Sequence, residues 1–494
     1  MQTVSKLSNK QIAKSLTSFI FGTIGLYLII MIMILINEGG AGFGKYFVDN
    51  QQSLLTIAVS FAVLSAMLYC YFFFENKYVL SHFSKLSELF LIMYISFILS
   101  FVMSKYVDFM SRPVAFLPLM CATLFRRRDA IFINSVFALM ILILDRFSEL
   151  TYADNLSYLG EVQYANYACL LCSFCAGIVA VFVFNSVKTR IQSVMLAFIL
   201  LIPVEAINCV IMLPVRIGAI TAVEIFDLLI FGALSCIMSV MLYMFILPLF
   251  EMLFAEMTVF RLRELTSDSA KLIKKLKENA PGTYSHSVVV SQIVEACAKA
   301  IGEDAELARA AAFYHDVGKL KGPEMFAENQ TEYNFHDDIT PELSVDIIRS
   351  HTRNGAMLIK KSRLPEIFAD VAIQHHGTMP IKYFYYKALK MSDGELNIDN
   401  YSYSGPIPES KIAALIMIAD SSEAATRTLP DRSPEKVEAF VRSLIEERLD
   451  MGQFDNCNIT MRELTIVKST IVSQLTGVYH SRVAYPKLTV SKKK

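Results

Sequence analysis

Nearly every long apolar run in this 494-residue chain falls within its first 250 residues. Such runs have few stable solutions, because a backbone in hydrocarbon must satisfy its own hydrogen bonds and does so as membrane-crossing helices. Candidate spans lie at about 16–37, 52–74, 87–104, 107–125, 129–145, 164–187, 192–213 and 221–250. Residues 256–494 have ordinary soluble composition, enough for a separate core. From Thr283 onward they read as helices joined by short loops, with no sustained two-residue alternation. The expected fold is therefore all-α: a polytopic bundle of about eight spans followed by a helical globular domain. The formal charge of zero averages two unlike halves and says nothing of partners.

Charge placement orients the bundle. The first span follows Lys6, Lys10 and Lys14, exceeds signal-peptide length and lacks a small-residue cleavage site, so it reads as an uncleaved anchor. With the N-terminus inside, ten Lys and Arg residues fall on inner segments, Arg126–Arg128 among them, against five on outer ones. That obeys the positive-inside rule and leaves the second half in the cytoplasm. The fourth span is the weakest, since it contains Asp108, Arg112 and Pro113, but omitting it would strand Arg126–Arg128 outside. Glu205 and Asp227 also interrupt apolar segments, and interhelical hydrogen bonding or a place near the interface outweighs an ion pathway for both. The nine cysteines give no disulfide framework, and Cys169, Cys172 and Cys175 share one helical face suited to packing. After the bundle (1–250), an amphipathic linker helix is expected over 251–282, ended by Pro281-Gly282. A domain at 283–480 and a basic tail at 481–494 follow.

The second half carries His286, His315-Asp316, His351, His375-His376 and Asp420 in that order. A lone histidine on a packed helix is usually a hydrogen-bonded core residue. Five of them with two aspartates reverse that expectation, because neutral imidazole and carboxylate are what hold two divalent metals side by side. Adjacent residues on a helix point about 100° apart, so His315 can serve one metal while Asp316 bridges toward a second. Lys319 then brings a cation to the same mouth, where it can neutralise phosphoryl charge. Asp316 and Lys319 are the expected catalytic residues, phosphoester hydrolysis the expected chemistry, and two ions of Mn or Fe suit the donors better than Mg. Most ligands are expected at helix ends, with Asp420 closing KIAALIMIAD. His336 stands evenly between a substrate-gate role and surface exposure.

The order H…HD…H…HH…D around HDVGK resembles the HD-domain metal-dependent phosphohydrolases. More closely, APGTYSHS (280–287), AAFYHDVGKL (311–320), MFAENQ (325–330), RSHTRNG (349–355), QHHGT (374–378), FYYKAL (384–389) and ADSSEAATR (419–427) resemble the seven-transmembrane HD phosphodiesterases. In that family a multi-span bundle precedes a cytoplasmic HD domain that cleaves cyclic di-AMP to linear pApA. The resemblance implies metal ligation by His286, His315, Asp316, His351, His375, His376 and Asp420, with the division of His375 and His376 between metal and substrate left open. It implies substrate contacts at Lys319, His336, Thr378, Tyr385, Ser421 and Arg427. Many relatives carry a large extracellular domain after the first span, where this chain has only EGGAGFGKYFVDNQ (38–51). The branch specific for cyclic di-GMP carries HHE and a GYP triplet, where this chain has Gly377-Thr378-Met379-Pro380.

The expected protein is a multi-pass enzyme of a bacterial cytoplasmic (inner) membrane acting on a cyclic dinucleotide, with no nucleic-acid partner and a homodimer left open. The competing readings are an HD hydrolase of another nucleotide or cyclic di-GMP, and a receptor or transporter that binds nucleotide without hydrolysis.

Overall fold

The computed structural model describes residues 7–148, 162–184, 187, 189–215, 222–330, 334–392 and 394–478. The tail 481–494, His480 and most of the expected outer loop 146–163 lie outside the described residues. The chain divides into two compact units, Gln2–Phe260 and Arg261–Lys494, helical and without a strand among the described residues.

The first unit contains α1 (Asn9–Asp49), α2 (Gln51–Glu75), the short α3 (Lys77–Ser81), α4 (Phe83–Tyr106), α5 (Phe116–Leu124), α6 (Arg127–Ser148), α7 (Val162–Phe184), α8 (Arg190–Val215) and α9 (Ala222–Leu253). Among the described residues, seven helices are long and apolar enough to cross a membrane. Most of 38–51 is helical: α1 bends at Gly39 (φ 70°) and continues to Asp49, leaving Asn50 as the turn into α2.

The expected fourth span is not one helix. It is a 3-10 turn at Phe109–Ser111, a break at Arg112-Pro113, and the nine-residue α5, because Pro113 cannot donate the backbone bond a continuous helix needs. It nevertheless runs the depth of the unit. Arg112 bonds Ser104 near the end of α4 and Asp145 near the end of α6. At the other end of the segment, the Leu124 carbonyl accepts from Lys85 at the start of α4. Arg126 pairs with Asp129 at the start of α6 and bonds the Glu75 carbonyl at the end of α2. Helices α4 and α6 therefore run the same way, and Phe109–Leu124 is the return crossing between them.

This return segment is buried, packed against α4, α6, α7 and α9, and it carries a guanidinium. Arg112 is 1% exposed and holds Asp145 in a two-pronged pair at 2.6 and 2.9 Å. Its guanidinium lies 3.9 Å from the Phe109 ring centroid, and its carbonyl accepts from Ser235 on α9. A charge in that setting persists only because its partner is present.

The second unit contains α10 (Val259–Leu265), α11 (Lys271–Asn279), α12 (Pro281–Ile301), α13 (Ala305–Tyr314), α14 (Pro341–Lys361), α15 (Glu366–Gln374), α16 (Lys382–Met391), α17 (Lys411–Thr428), α18 (Pro434–Asp450) and α19 (Met461–Val478). The 251–282 segment is not a continuous helix. The last membrane helix stops at Leu253, Ala255 adopts a positive φ of 55°, and two short helices follow. Pro281 opens α12 instead of closing the linker, since a proline at the first helical position loses no bond. Helix α12 packs against α13, α17 and α19 and so forms the axis of the unit. Ala308, Ala310, Ala311 and Ala312 are fully buried on α13, and small side chains there bring its C-terminus deep into the core.

Replacing Asp145 by Asn is expected to cost about 3–5 kcal/mol by leaving the Arg112 charge unpaired. Thermal unfolding of the detergent-purified chain should show a clear fall in Tm. The double replacement Arg112→Met with Asp145→Leu should restore most of it.

Candidate metal centre

Five helices or their caps deliver seven side chains to one place. His286 comes from the first turns of α12, His315 caps α13 with Asp316 beside it, His351 lies midway along α14, and His375 caps α15 with His376 next. Asp420 is not at a helix end as expected: α17 continues through SSEAATRT to Thr428, because that stretch is alanine-rich and unbroken. All but His376 are buried, with His315 and His375 at 0% exposure.

Asp316 is the hinge of the arrangement. Its Oδ1 faces His351 at 3.3 Å and His375 at 3.8 Å. Its Oδ2 faces His315 at 3.3 Å, His286 at 3.8 Å and Lys319 at 2.8 Å. Donor atoms fall within ligand spacing in three overlapping groups: His351–His375–His376, His286–His315–Asp420 and His315–Asp316–His375. One carboxylate thus stands between two imidazole sets.

The imidazoles are aimed by their own helices. His315, His351 and His375 each place Nδ1 on the carbonyl three residues back, Ala312, Ile348 and Ala372, at 2.6, 2.5 and 3.0 Å. A carbonyl only accepts, so each Nδ1 carries a proton and each Nε2 is turned inward. His286 is held at Nδ1 by Glu423, at 2.6 Å. His376 differs, for its ring stacks on Tyr403 with centroids 4.2 Å apart.

The donors fit divalent metal on three observations. The Nε2 atoms of His351 and His375 lie 3.3 Å apart, lone pair against lone pair, a contact that becomes favourable around a shared cation. Both His315 Nε2 and Asp316 Oδ1 are buried without a hydrogen-bond partner among the described residues. Burial with the neighbouring imidazoles holds His375 well below the ordinary histidine range, and burial pushes His376 down to about 3, so both rings are neutral. Against burial, Lys319 and His315 keep the Asp316 carboxyl far below its usual value. Against burial too, Asp316 and Asp420 push His315 up to about 10, marking where these acids draw positive charge.

Lys319 is clasped by Asp316 at 2.8 Å and Glu328 at 2.7 Å. It borders a cavity of about 750 Å³ with His286, His351, His376, Asp420, Ser421, Arg427 and the rings of Phe326, Tyr383, Phe384 and Tyr403. His336 also borders this cavity. It is 6% exposed, so the surface alternative does not hold; its Nε2–H donates to the Met325 carbonyl and its ring meets Phe384. Thr378 and Tyr385 do not border it. Thr378 exchanges two hydrogen bonds with Gln453, and Tyr385 packs on Tyr401 with its hydroxyl toward the Leu396 carbonyl. Both expected contacts therefore face structural partners.

Sequence reasoning missed Glu423, Glu328 and Tyr403. Glu423 follows Asp420 by three residues on α17 and so shares its face, a signal legible in the chain. Glu328 joins Lys319 and the Thr283 hydroxyl. Tyr403 reaches His376 because the bridge between Pro380 and Ser402 folds the 392–410 connection back over α15, and no local pattern announces that.

Two family models match this chain. Residues 51–258 match the "7TM receptor with intracellular HD hydrolase" family and residues 283–425 match the "HD domain" family. The first half is thus similar to the membrane part of that family and the second to HD domains. The chain is 40% identical over 290 residues to the cyclic-di-AMP phosphodiesterase PgpH of Bacillus subtilis, covering 58% of this chain and 41% of that protein. It is 44% identical over 242 residues to the Listeria monocytogenes PgpH, covering 49% of this chain and 34% of that one. The chain thus spans less than half the length of these relatives. The solved HD domain of the Listeria protein in complex with cyclic-di-AMP is 44% identical over 44% of this chain and all of that domain, with a TM-score of 0.42.

A Cβ added at Gly318 would lie 1.8 Å from the His351 carbonyl oxygen, a backbone atom that cannot yield. Gly318→Ala is expected to separate the HDVGK turn from α14, reducing bound metal per chain by elemental analysis and lowering stability by about 3 kcal/mol or more. Glu423→Gln, which weakens the hold on His286 Nδ1, should lower metal affinity about 10–100-fold in a chelator competition while the fold survives.

Proposed function

We propose that this chain is a membrane-anchored, metal-dependent phosphodiesterase of a bacterial cytoplasmic membrane, hydrolysing cyclic di-AMP to linear pApA on the cell-interior side. The observation that carries this reading is the two-sided environment of Asp316, supported by the relationship to the PgpH proteins.

His286, His315 and Asp420 would hold one divalent cation, His351, His375 and His376 the other, with Asp316 between them. Bound there, the pair supplies Lewis acidity for in-line phosphodiester hydrolysis. The imidazole-rich donor set suits Mn or Fe. The remaining work falls to side chains already placed. Lys319, positioned by Glu328, directs positive charge toward a phosphoryl group at the cavity floor. Arg427, bonded through Nε to Glu423, brings a second positive charge to the same cavity for another phosphate. The rings of Phe326, Tyr383 and Phe384 give planar surfaces against which purine bases stack. Such a floor of charge with aromatic walls suits a compact dinucleotide whose phosphates face inward and whose bases face outward.

The test is product analysis with the full-length protein in detergent, loaded with Mn, against a panel of cyclic di-AMP, cyclic di-GMP, mononucleotides and guanosine tetraphosphate. Linear pApA as sole product supports the proposal. Preferential turnover of another nucleotide redirects the substrate assignment, and tight binding without turnover removes the catalytic one. Lys319→Ala should lower kcat about 100-fold or more with a smaller change in KM and no loss of metal. An unchanged kcat would remove Lys319 from the reaction.

A further inference from the structure

The wall that α17 gives to the cavity beside Lys319 is backed by a charge with no part in the chemistry above. Arg448, in the last turn of α18, is 7% exposed. Its Nη1–H donates to the Leu444 carbonyl at 3.0 Å and its Nη2–H to Ser421 Oγ at 2.7 Å. Its Nε is buried without a partner, and no acid pairs with the guanidinium among the described residues. The two acids that act on its charge, Glu447 and Asp420, are engaged elsewhere, Glu447 with Lys382 and Asp420 with His286 at 2.9 Å. Burial lowers the guanidinium pKa in spite of them, yet an arginine keeps its proton at any ordinary pH.

A buried cation without a counter-charge is costly, and an apolar side chain of similar length would fill the same space at less cost. Arg112 in the membrane unit has the usual remedy, a two-pronged pair with Asp145. Arg448 has a hydroxyl instead, and the residue that carries it borders the cavity shared by Lys319 and Arg427.

Ser421 can turn. Its Oγ accepts from Arg448, so its own proton points elsewhere, and in the structure it goes to the Met417 carbonyl at 3.1 Å. That is long for an O–H···O bond. The same carbonyl already accepts the Ser421 backbone N–H within α17, so the hydroxyl can swing to the cavity without leaving an orphan. A hydroxyl that accepts from a guanidinium is a stronger donor in its own right. The partner it suits is an anionic oxygen, whose charge also offsets the guanidinium one hydroxyl away.

The arginine is held in place for this. Helix α18 packs against α17, and just after it the Gln453 N–H donates to the Arg448 carbonyl at 2.9 Å. The Gln453 side chain is fastened in turn to Thr378, beside the paired histidines.

We propose that Arg448 is a positioning residue for the substrate: it fixes and polarises Ser421 Oγ so that this hydroxyl donates to a phosphoryl oxygen in the cavity. The role rests on the phosphodiesterase reading above. It divides the phosphate contacts between direct charge, from Lys319 and Arg427, and charge relayed through a neutral hydroxyl.

A double-mutant cycle on the full-length protein in detergent, loaded with Mn, tests this: wild type, Arg448→Met, Ser421→Ala and the two together. With cyclic di-AMP, Arg448→Met should raise KM about 10-fold or more, with a smaller change in kcat, unchanged metal per chain and a Tm no lower than wild type. Ser421→Ala should raise KM to a similar extent, and the double variant should be no worse than either single one. Additive losses in KM, or a KM that Arg448→Met leaves unchanged, overturn the proposal, because an arginine kept for stability does not act through one hydroxyl. Arg448→Lys, whose ammonium can still donate to Ser421, should recover part of the KM only where Ser421 is present, and it completes the same cycle if Arg448→Met fails to fold. Absence of turnover in the wild type would refute the phosphodiesterase reading. The four proteins are then compared by calorimetric titration with inorganic phosphate: the same non-additive loss of affinity supports the role of Arg448, and additive losses or no binding overturn it.

Discussion

Burying Asp316 is the constraint around which the second unit is organised. A carboxylate 1% exposed in an alanine-lined interior is tolerable only where a positive charge reaches it. Lys319 in the turn after α13 brings one to 2.8 Å, and four imidazoles, one each from α12, α13, α14 and α15, face the same two oxygens. Each imidazole must arrive from a different helix, since no single helix can surround one side chain. The packing of α12 against α13 and α17, and of α14 against α15, is the scaffold this charge balance requires.

The membrane unit meets a similar demand differently. Its buried guanidinium is matched by the acid Asp145, and the segment carrying the guanidinium is broken to allow it. The break has a topological effect: because α4 and α6 run in the same direction, the short segment between them must cross the full unit. Charge, proline and direction of travel therefore meet at residues 112 and 113.

Much of this was legible in the chain. Apolar runs located the membrane helices, and the order of histidines and acids pointed to the seven side chains that the fold gathers, because those residue types have few other reasons to recur on packed helices. The weak fourth span was recognised through the same Arg112 and Pro113 that break it. What stayed hidden was set by tertiary contact. Thr378 lies beside the paired histidines in sequence, yet Gln453 takes both its bonds. Tyr403 is remote from His376 along the chain and stacks on it through a folded-back connection. The linker resembled one amphipathic helix because its leucines keep helical spacing on both sides of a break that periodicity alone does not register.

The carbonyls that anchor His315, His351 and His375 belong to the same helix as the ring they hold. Aim is thus a local property of each segment, inherited from helical geometry alone. Substitutions at the contacts between helices can shift a whole ligand by a fraction of an ångström without turning it. A centre built this way can drift in its surroundings over long divergence while its donor atoms keep their bearing.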